Sequence, residues 1–581
     1  MRPARRLAAA VLAAGLVALA TPAADPAVPG GKLTPEQKQK LKNLTPEQKQ
    51  KLRAKLKERQ ATQAAEAAPK PAAKKSAAPK PAPRPAADLM ALIDAQITAR
   101  LAAEKVTASP AADDAEFLRR VTLDLTGVIP SAADAKAFLD STAPDKKAVF
   151  VDKLLADPTF GRHLADIWQA KLLPRDSDNR FVSREPFADW VAAKFNAGTP
   201  WDQFTRELLT ATGSPDDNPA TIFFLANRSA DKLADAVGTH FLGLQLGCAQ
   251  CHNHPYTAWK QTDYWGLAMF FGKVQPRPPG RPNKVAAGDT PFPGGVTELA
   301  GPSRAKDFFP ESAKKVPPKF LGGDAPKLTA AEPYRPVMAE WLTGDESPYF
   351  AQAFVNRAWA QLFGRGLAPL DDLDDDHPAT HPEVFQALTE QFRATGYDVK
   401  QLYRTLALTA AYQRTSKPTA GNAGDVTLYS HMAVKVLSPE QLYDSLAAVV
   451  PLAGADKADK RPAAGQYRRP GQRDQFVQFF LAGSPVANPA EYEAGIPQAL
   501  RLMNSRIIGY PKAVGAFLTP GSDRRPERVL PEMYLAVLSR RPTAAEVEEL
   551  SAYHTDNGGG PAAYADILWA LVNSSEFALV R

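Results

Sequence analysis

The chain has 581 residues with a formal net charge of +7 and 44% hydrophobic side chains, an ordinary balance for a globular protein long enough for two or more domains. Two cysteines exclude a disulfide scaffold, and 53 prolines point to extended or turn-rich connections. The charge is unevenly spread. Residues 1–87 hold 18 Lys+Arg against 5 Asp+Glu, a balance of +13, which leaves −6 for 88–581. A mildly acidic body argues against nucleic acid as a partner, because phosphate neutralisation needs a cationic face on the fold.

In chain order, Arg2, Arg5 and Arg6 precede the apolar run Leu7–Ala20. Ala18-Leu19-Ala20 then forms an A-x-A cleavage site. This is the pattern of a secretory signal peptide over 1–20, and the 14-residue run is shorter than the ~20 residues of a membrane span. The alternative is an uncleaved anchor. Residues 21–87 form a basic arm. Leu33–Leu41 recurs at Leu44–Leu52, with Thr34 and Thr45 as N-caps and Gln37 and Gln48 closing capping boxes. The Ala/Pro/Lys stretch 61–87 cannot bury apolar surface and reads as a disordered, extended tether. Such an arm suits an anionic envelope polymer, or serves as a solvated spacer.

From Asp88 the apolar period turns helical, with Leu89, Leu92, Ile93, Ile97 and Leu101 on one stripe. Helix starts follow at Asp113 or Asp114, at Ser131 and at Asp145. Leu233, Val237, Phe241 and Leu244 line another face. Residues 275–330 are Pro/Gly-rich and read as a loop or small strand insert. Helical periodicity resumes near Pro336, with a capping box at Thr543–Glu546 and a last amphipathic stripe of Ile567, Leu568, Leu571 and Val572. The expected fold is mainly α: a helical domain over 88–274, a connection over 275–330 and a second helical domain over 331–581.

The only cysteines, Cys248 and Cys251, precede His252 in a C-x-x-C-H pattern, the attachment signature of haem c. Two thiols one turn apart suit the two haem vinyl groups, and His252 supplies an axial nitrogen to the iron. Three other readings stand beside it. Cys248 and Cys251 form a reversible disulfide; with His252 and His254 they make a Cys₂His₂ metal set, though crowded for a tetrahedron; or they are inert thiols. Met269 is a distal-ligand candidate. His240 lies nearby, and His163, His377 and His381 are remote.

Asp372, Asp374, Asp376 and Glu383 fall at positions 1, 3, 5 and 12 of a calcium loop, but His377 stands where Gly is needed, so a solvated acidic loop is the plainer reading. Phosphate-binding, nucleophile-elbow and zinc-protease motifs are absent from the sequence.

Phe117-Leu118-Arg119-Arg120-Val121-Thr122-Leu123-Asp124-Leu125-Thr126-Gly127-Val128-Ile129-Pro130 resembles the opening of a secreted planctomycete family of unknown function, named for its association with cytochrome c-like domains. Phe241-Leu242-Gly243, then Cys248 through Tyr256, and then Trp259 through Trp265 resemble its central motif, with Asn253 where Asp is expected. The second half is similar to the companion domain usually fused to it, through Val355-Asn356-Arg357-Ala358-Trp359, Phe363-Gly364-Arg365-Gly366-Leu367, His381-Pro382-Glu383 and Leu538-Ser539-Arg540-Arg541-Pro542-Thr543. The resemblance implies the domain order and, weakly, a redox role. Within it Arg357 is either an anion contact or the partner of a local carboxylate. The functional expectation is an exported protein, periplasmic, envelope-associated or extracellular, that binds haem c or is otherwise redox-active through Cys248, Cys251 and His252. The alternatives are a non-enzymatic envelope scaffold and an enzyme acting on extracellular polymers. A redox or envelope partner is implied without being identified.

Overall fold

A computed structural model describes residues 82–174, 184–277, 295–299, 309–311, 313–373, 377–450, 471–481, 510–518 and 523–581. The expected signal segment, residues 1–20, and most of the basic arm lie outside these residues. Helices dominate, as the periodicity predicts. Strands are confined, among the described residues, to two short antiparallel pairs. Val274–Arg277 pairs with Gly295–Glu298 inside the Pro/Gly-rich connection, and Lys435–Val436 pairs with Leu579–Val580. No described helix is long and apolar enough to cross a membrane.

Local chemistry sets many helix ends. Asp113 accepts from the Glu116 amide and opens the Asp114–Thr126 helix, and Gly127 ends it at φ 72°. A side chain at Gly127 would also strike His163, whose Nδ1 lies 2.5 Å from the would-be Cβ. Ser131 caps Ala132–Asp140 through the Asp134 amide. Thr543 and Glu546 form the expected box at Ala544–Asp556, and Ser438 and Gln441 form another at Pro439–Val449. Asp145 precedes Lys146–Ala156, as expected, but makes no side-chain cap.

Apolar burial forms two clusters. The larger holds residues from Leu89 to Met432 together with Leu535 and is continuous across the Pro/Gly-rich connection. At its centre Trp201 packs 4.5 Å from both Trp168 and Phe354, measured between ring centroids, while Trp168 and Phe354 stack at 5.8 Å. These rings tie the Pro158–Leu172, Trp201–Leu209 and Tyr349–Phe363 helices together. The smaller cluster holds residues from Leu437 to Val580 together with Leu123 and Ile129.

The Asp114–Thr126 helix joins the two clusters, and every residue from Phe117 to Thr126 is buried. Its charged side chains survive burial because most of their donors are spent, although Arg119 Nε is buried without a partner. Arg119 donates to the carbonyls of Val537 (3.0 Å) and Phe577 (2.8 Å). Arg120 donates to the carbonyls of Tyr412 (2.8 Å), Arg414 (2.9 Å) and Arg581 (2.7 Å), and to Glu116 (2.6 Å). Asp124 meets the Lys435 ammonium at 2.5 Å and accepts from the Tyr412 hydroxyl at 2.8 Å.

Candidate functional site

The chain reaches the cysteine motif from the Ala230–Val237 helix through a π-helical turn at Gly238–Leu242. Gly243 reverses it at φ 67°, where a Cβ would sit 2.7 Å from Leu373. Leu246 and Ala249 are buried and pin the following 3₁₀ turn, Gly247–Gln250, to the core. Between these anchors Cys248 faces solvent, and Cys251 does so at the turn's end; both are free thiols. Side chains at i and i+3 eclipse in a 3₁₀ turn, so the two thiols share one face.

The next helix, Gln261–Met269, holds this turn from behind. Gln261 Nε2 donates to the Gln250 carbonyl at 3.1 Å and to the Cys251 carbonyl at 2.9 Å. Trp265 Nε1 donates to the same Gln250 carbonyl at 3.0 Å. Asn253 Oδ1 accepts from the Gln261 amide at 3.0 Å. His252 is exposed, and its Nδ1 donates to the Asn253 carbonyl at 2.7 Å. That bond selects the tautomer whose Nε2 lone pair remains for a ligand. His254 is turned the other way: its Nδ1 accepts from the amides of Tyr256 (3.4 Å) and Thr257 (3.1 Å).

Beneath the turn lies Asp235. Its Oδ1 is buried without a hydrogen-bond partner, and a Cβ on Gly247 would come 3.9 Å from it. Burial pushes the Asp235 carboxyl above the usual range, the Tyr264 hydroxyl pulls it back, and Asp231 adds to the rise. Burial and the nearby acidic groups push the Tyr264 hydroxyl far upward.

The structure therefore gathers Cys248, Cys251 and His252 on one exposed turn. It does not gather the four-ligand metal set. Among the described residues no group of three or more His, Cys, Asp or Glu side chains is placed to hold a metal ion, and His254 Nδ1 is already engaged. Met269 is 1% exposed, within the larger apolar cluster. It stands eight residues along the helix from Gln261, ~12 Å by helical rise. His240, on the π turn, keeps a buried Nδ1 without a partner, and burial together with Arg357 and Lys171 holds its ring neutral. His163 and His381 are buried, and each is pushed down to about 4, chiefly by burial.

In the acidic loop Asp371 pairs with Arg357 at 2.5 Å and Asp372 faces His377 at 3.4 Å. The calcium-loop positions Asp374 and Asp376 lie outside the described residues.

The donor set fits covalent haem attachment: two thiols on one face, and an oriented imidazole beside them. A second axial ligand is not supplied at the turn. Its flanks are polar apart from Tyr256, which is 84% exposed, and the half-buried Trp259. Gln261 and Trp265 fall within the string that resembles the family's central motif, though nothing in it names their supporting role, and Asp235 carries no sequence signal. The one hint is that Gln261 and Trp265 fall four apart, on one helix face.

Residues 92–276 match the PSCyt2 family model, a protein of unknown function (DUF1549). Residues 334–554 match the PSD1 model, a protein of unknown function (DUF1553). The chain thus carries two domains of unknown function, in that order. Neither the curated proteins nor the solved structures contain a match.

Proposed function

We propose that this chain is an exported redox protein that works outside the cytoplasm through Cys248, Cys251 and His252, with haem c attached to the two thiols. The observation that carries the reading is the exposed turn on which both free thiols share a face while the Asn253 carbonyl orients His252. Bound haem would supply one-electron chemistry at its iron. The chain's own residues do the rest. Cys248 and Cys251 would hold the group through sulfur, His252 would offer it Nε2, and Gln261 and Trp265 brace the turn.

The test is the absorption spectrum of protein made in a host with working haem-attachment machinery. A Soret band, and haem retained through denaturing electrophoresis, are expected. Cys251→Ala and His252→Ala should weaken or abolish both. Colourless wild-type protein would refute haem attachment.

The polar, open surroundings of the thiols favour a second reading, a reversible dithiol–disulfide couple. Two thiols would then lose two protons and two electrons to an external disulfide and form the Cys248–Cys251 bond. Colourless protein that titrates as a two-electron thiol couple distinguishes it from the first.

A further inference from the structure

Away from the cysteine turn, a cavity of about 90 Å³ lies where the Pro158–Leu172 and Tyr349–Phe363 helices face the Lys435–Val436 strand and the start of the Pro439–Val449 helix. Its wall carries both signs of charge. Two of its acids are neutralised: Asp124 by Lys435 and Asp166 by Arg473, whose Nη2 approaches to 2.6 Å. Two other groups on the wall are not used up.

Arg357 is one of them. It is 7% exposed, and both of its hydrogen bonds run through Nη2, to the Thr239 carbonyl and to Asp371. A guanidinium has five N–H donors, so those on Nη1 and Nε remain. Nε is fully buried without a partner. The other is Glu440, which enters no ion pair within 4.0 Å among the described residues. Burial and the neighbouring Asp166 push its carboxyl upward, against Arg473 and the Ser438 hydroxyl. Lys171 adds positive charge to the same wall.

An underused buried arginine and a lysine on the same wall make a place for negative charge. The volume is about three waters' worth, room for roughly four heavy atoms. We infer that this cavity is a binding site for a small oxyanion of carboxylate or phosphate size, with the Arg357 guanidinium as its principal contact. Such a ligand would complete the hydrogen bonding of Arg357 without displacing Asp371. It would also bridge helices that belong to the two matched segments.

The experiment is calorimetric titration of the full chain at pH 7 and fixed ionic strength with sodium acetate, sodium phosphate and sodium chloride. Saturable binding of acetate or phosphate, with none for chloride, is expected; the preferred anion tells an organic acid from an inorganic source. Arg357→Lys should weaken that binding about tenfold or more, because a point charge replaces a fork. Ile167→Phe, which fills the cavity from another wall, should abolish binding and serves if Arg357→Lys does not fold. No saturable heat with either oxyanion, chloride binding as well as they do, or unchanged affinity in the folded Arg357→Lys or Ile167→Phe protein would overturn the assignment.

Discussion

Replacing Lys435 by Met tests the claim that the interior is organised around paired charges. The Lys435 ammonium lies 2.5 Å from Asp124 and also donates to the carbonyls of Gln361 (2.8 Å) and Leu362 (3.0 Å). Methionine keeps most of the stem and removes the charge. Asp124, 3% exposed, would then keep only the Tyr412 hydroxyl. A buried carboxylate without its cation costs about 3–5 kcal/mol. Its escape is to take up a proton, which from an unperturbed value near 3.9 costs about 4 kcal/mol at pH 7, so the two estimates agree.

The sign of the pH dependence follows. Without Lys435 the folded carboxyl titrates above the unfolded one, so between those values the native state holds the extra proton. The penalty therefore grows as pH rises and shrinks by about 1.4 kcal/mol per unit as pH falls towards 4. Urea unfolding of wild type and Lys435→Met at pH 7 and pH 5 measures it, and Asp124→Asn with the double variant closes the cycle. A cost under about 1 kcal/mol at pH 7, or equal costs at both pH values, would refute the reasoning.

Two further outcomes are expected. His163 is buried and titrates at about 4, below its ordinary 6.5, because burial disfavours the imidazolium. Its folded value is depressed, so stability is present above 6.5 and falls as pH drops from 6.5 to 4, by about 3 kcal/mol from this group. His163→Asn should lose correspondingly less over that window, and parallel stability curves for the two proteins would contradict this. Gln261→Ala removes the donor shared by the Gln250 and Cys251 carbonyls, so amide hydrogen exchange at 250–254 should quicken. The urea midpoint should shift by no more than about 1 kcal/mol of stability; unchanged exchange would show that the turn is held by other bonds.

Features decided by neighbours in sequence were legible. Ser131 and the Thr543–Glu546 box act across three residues, and the structure uses them as caps. The cysteine motif was visible for the same reason, since it is written within five positions, and the structure sets both thiols in solvent. What depended on distant partners was not. Arg119 and Arg120 sit in a helix whose apolar stripe says nothing about guanidinium burial, because their carbonyl acceptors come from residues 412–581. The Pro/Gly-rich stretch marks a break in periodicity, yet Trp201 packs on Phe354 across it, and periodicity cannot report which helices meet. Arg357 was visible as a candidate, while Glu440 and His163 became its cavity neighbours only through folding.

The two arginines of the Asp114–Thr126 helix also set a clock. Their carbonyl partners lie 292 to 461 positions further along the chain. At a synthesis rate of 5–20 residues per second, those partners are made roughly 15–90 s after the arginines themselves. Until then Arg120 has only its helical neighbour Glu116, and Arg119 has none of its carbonyl acceptors. The charged interior of this helix is completed only by the segment that carries Val537, Phe577 and Arg581.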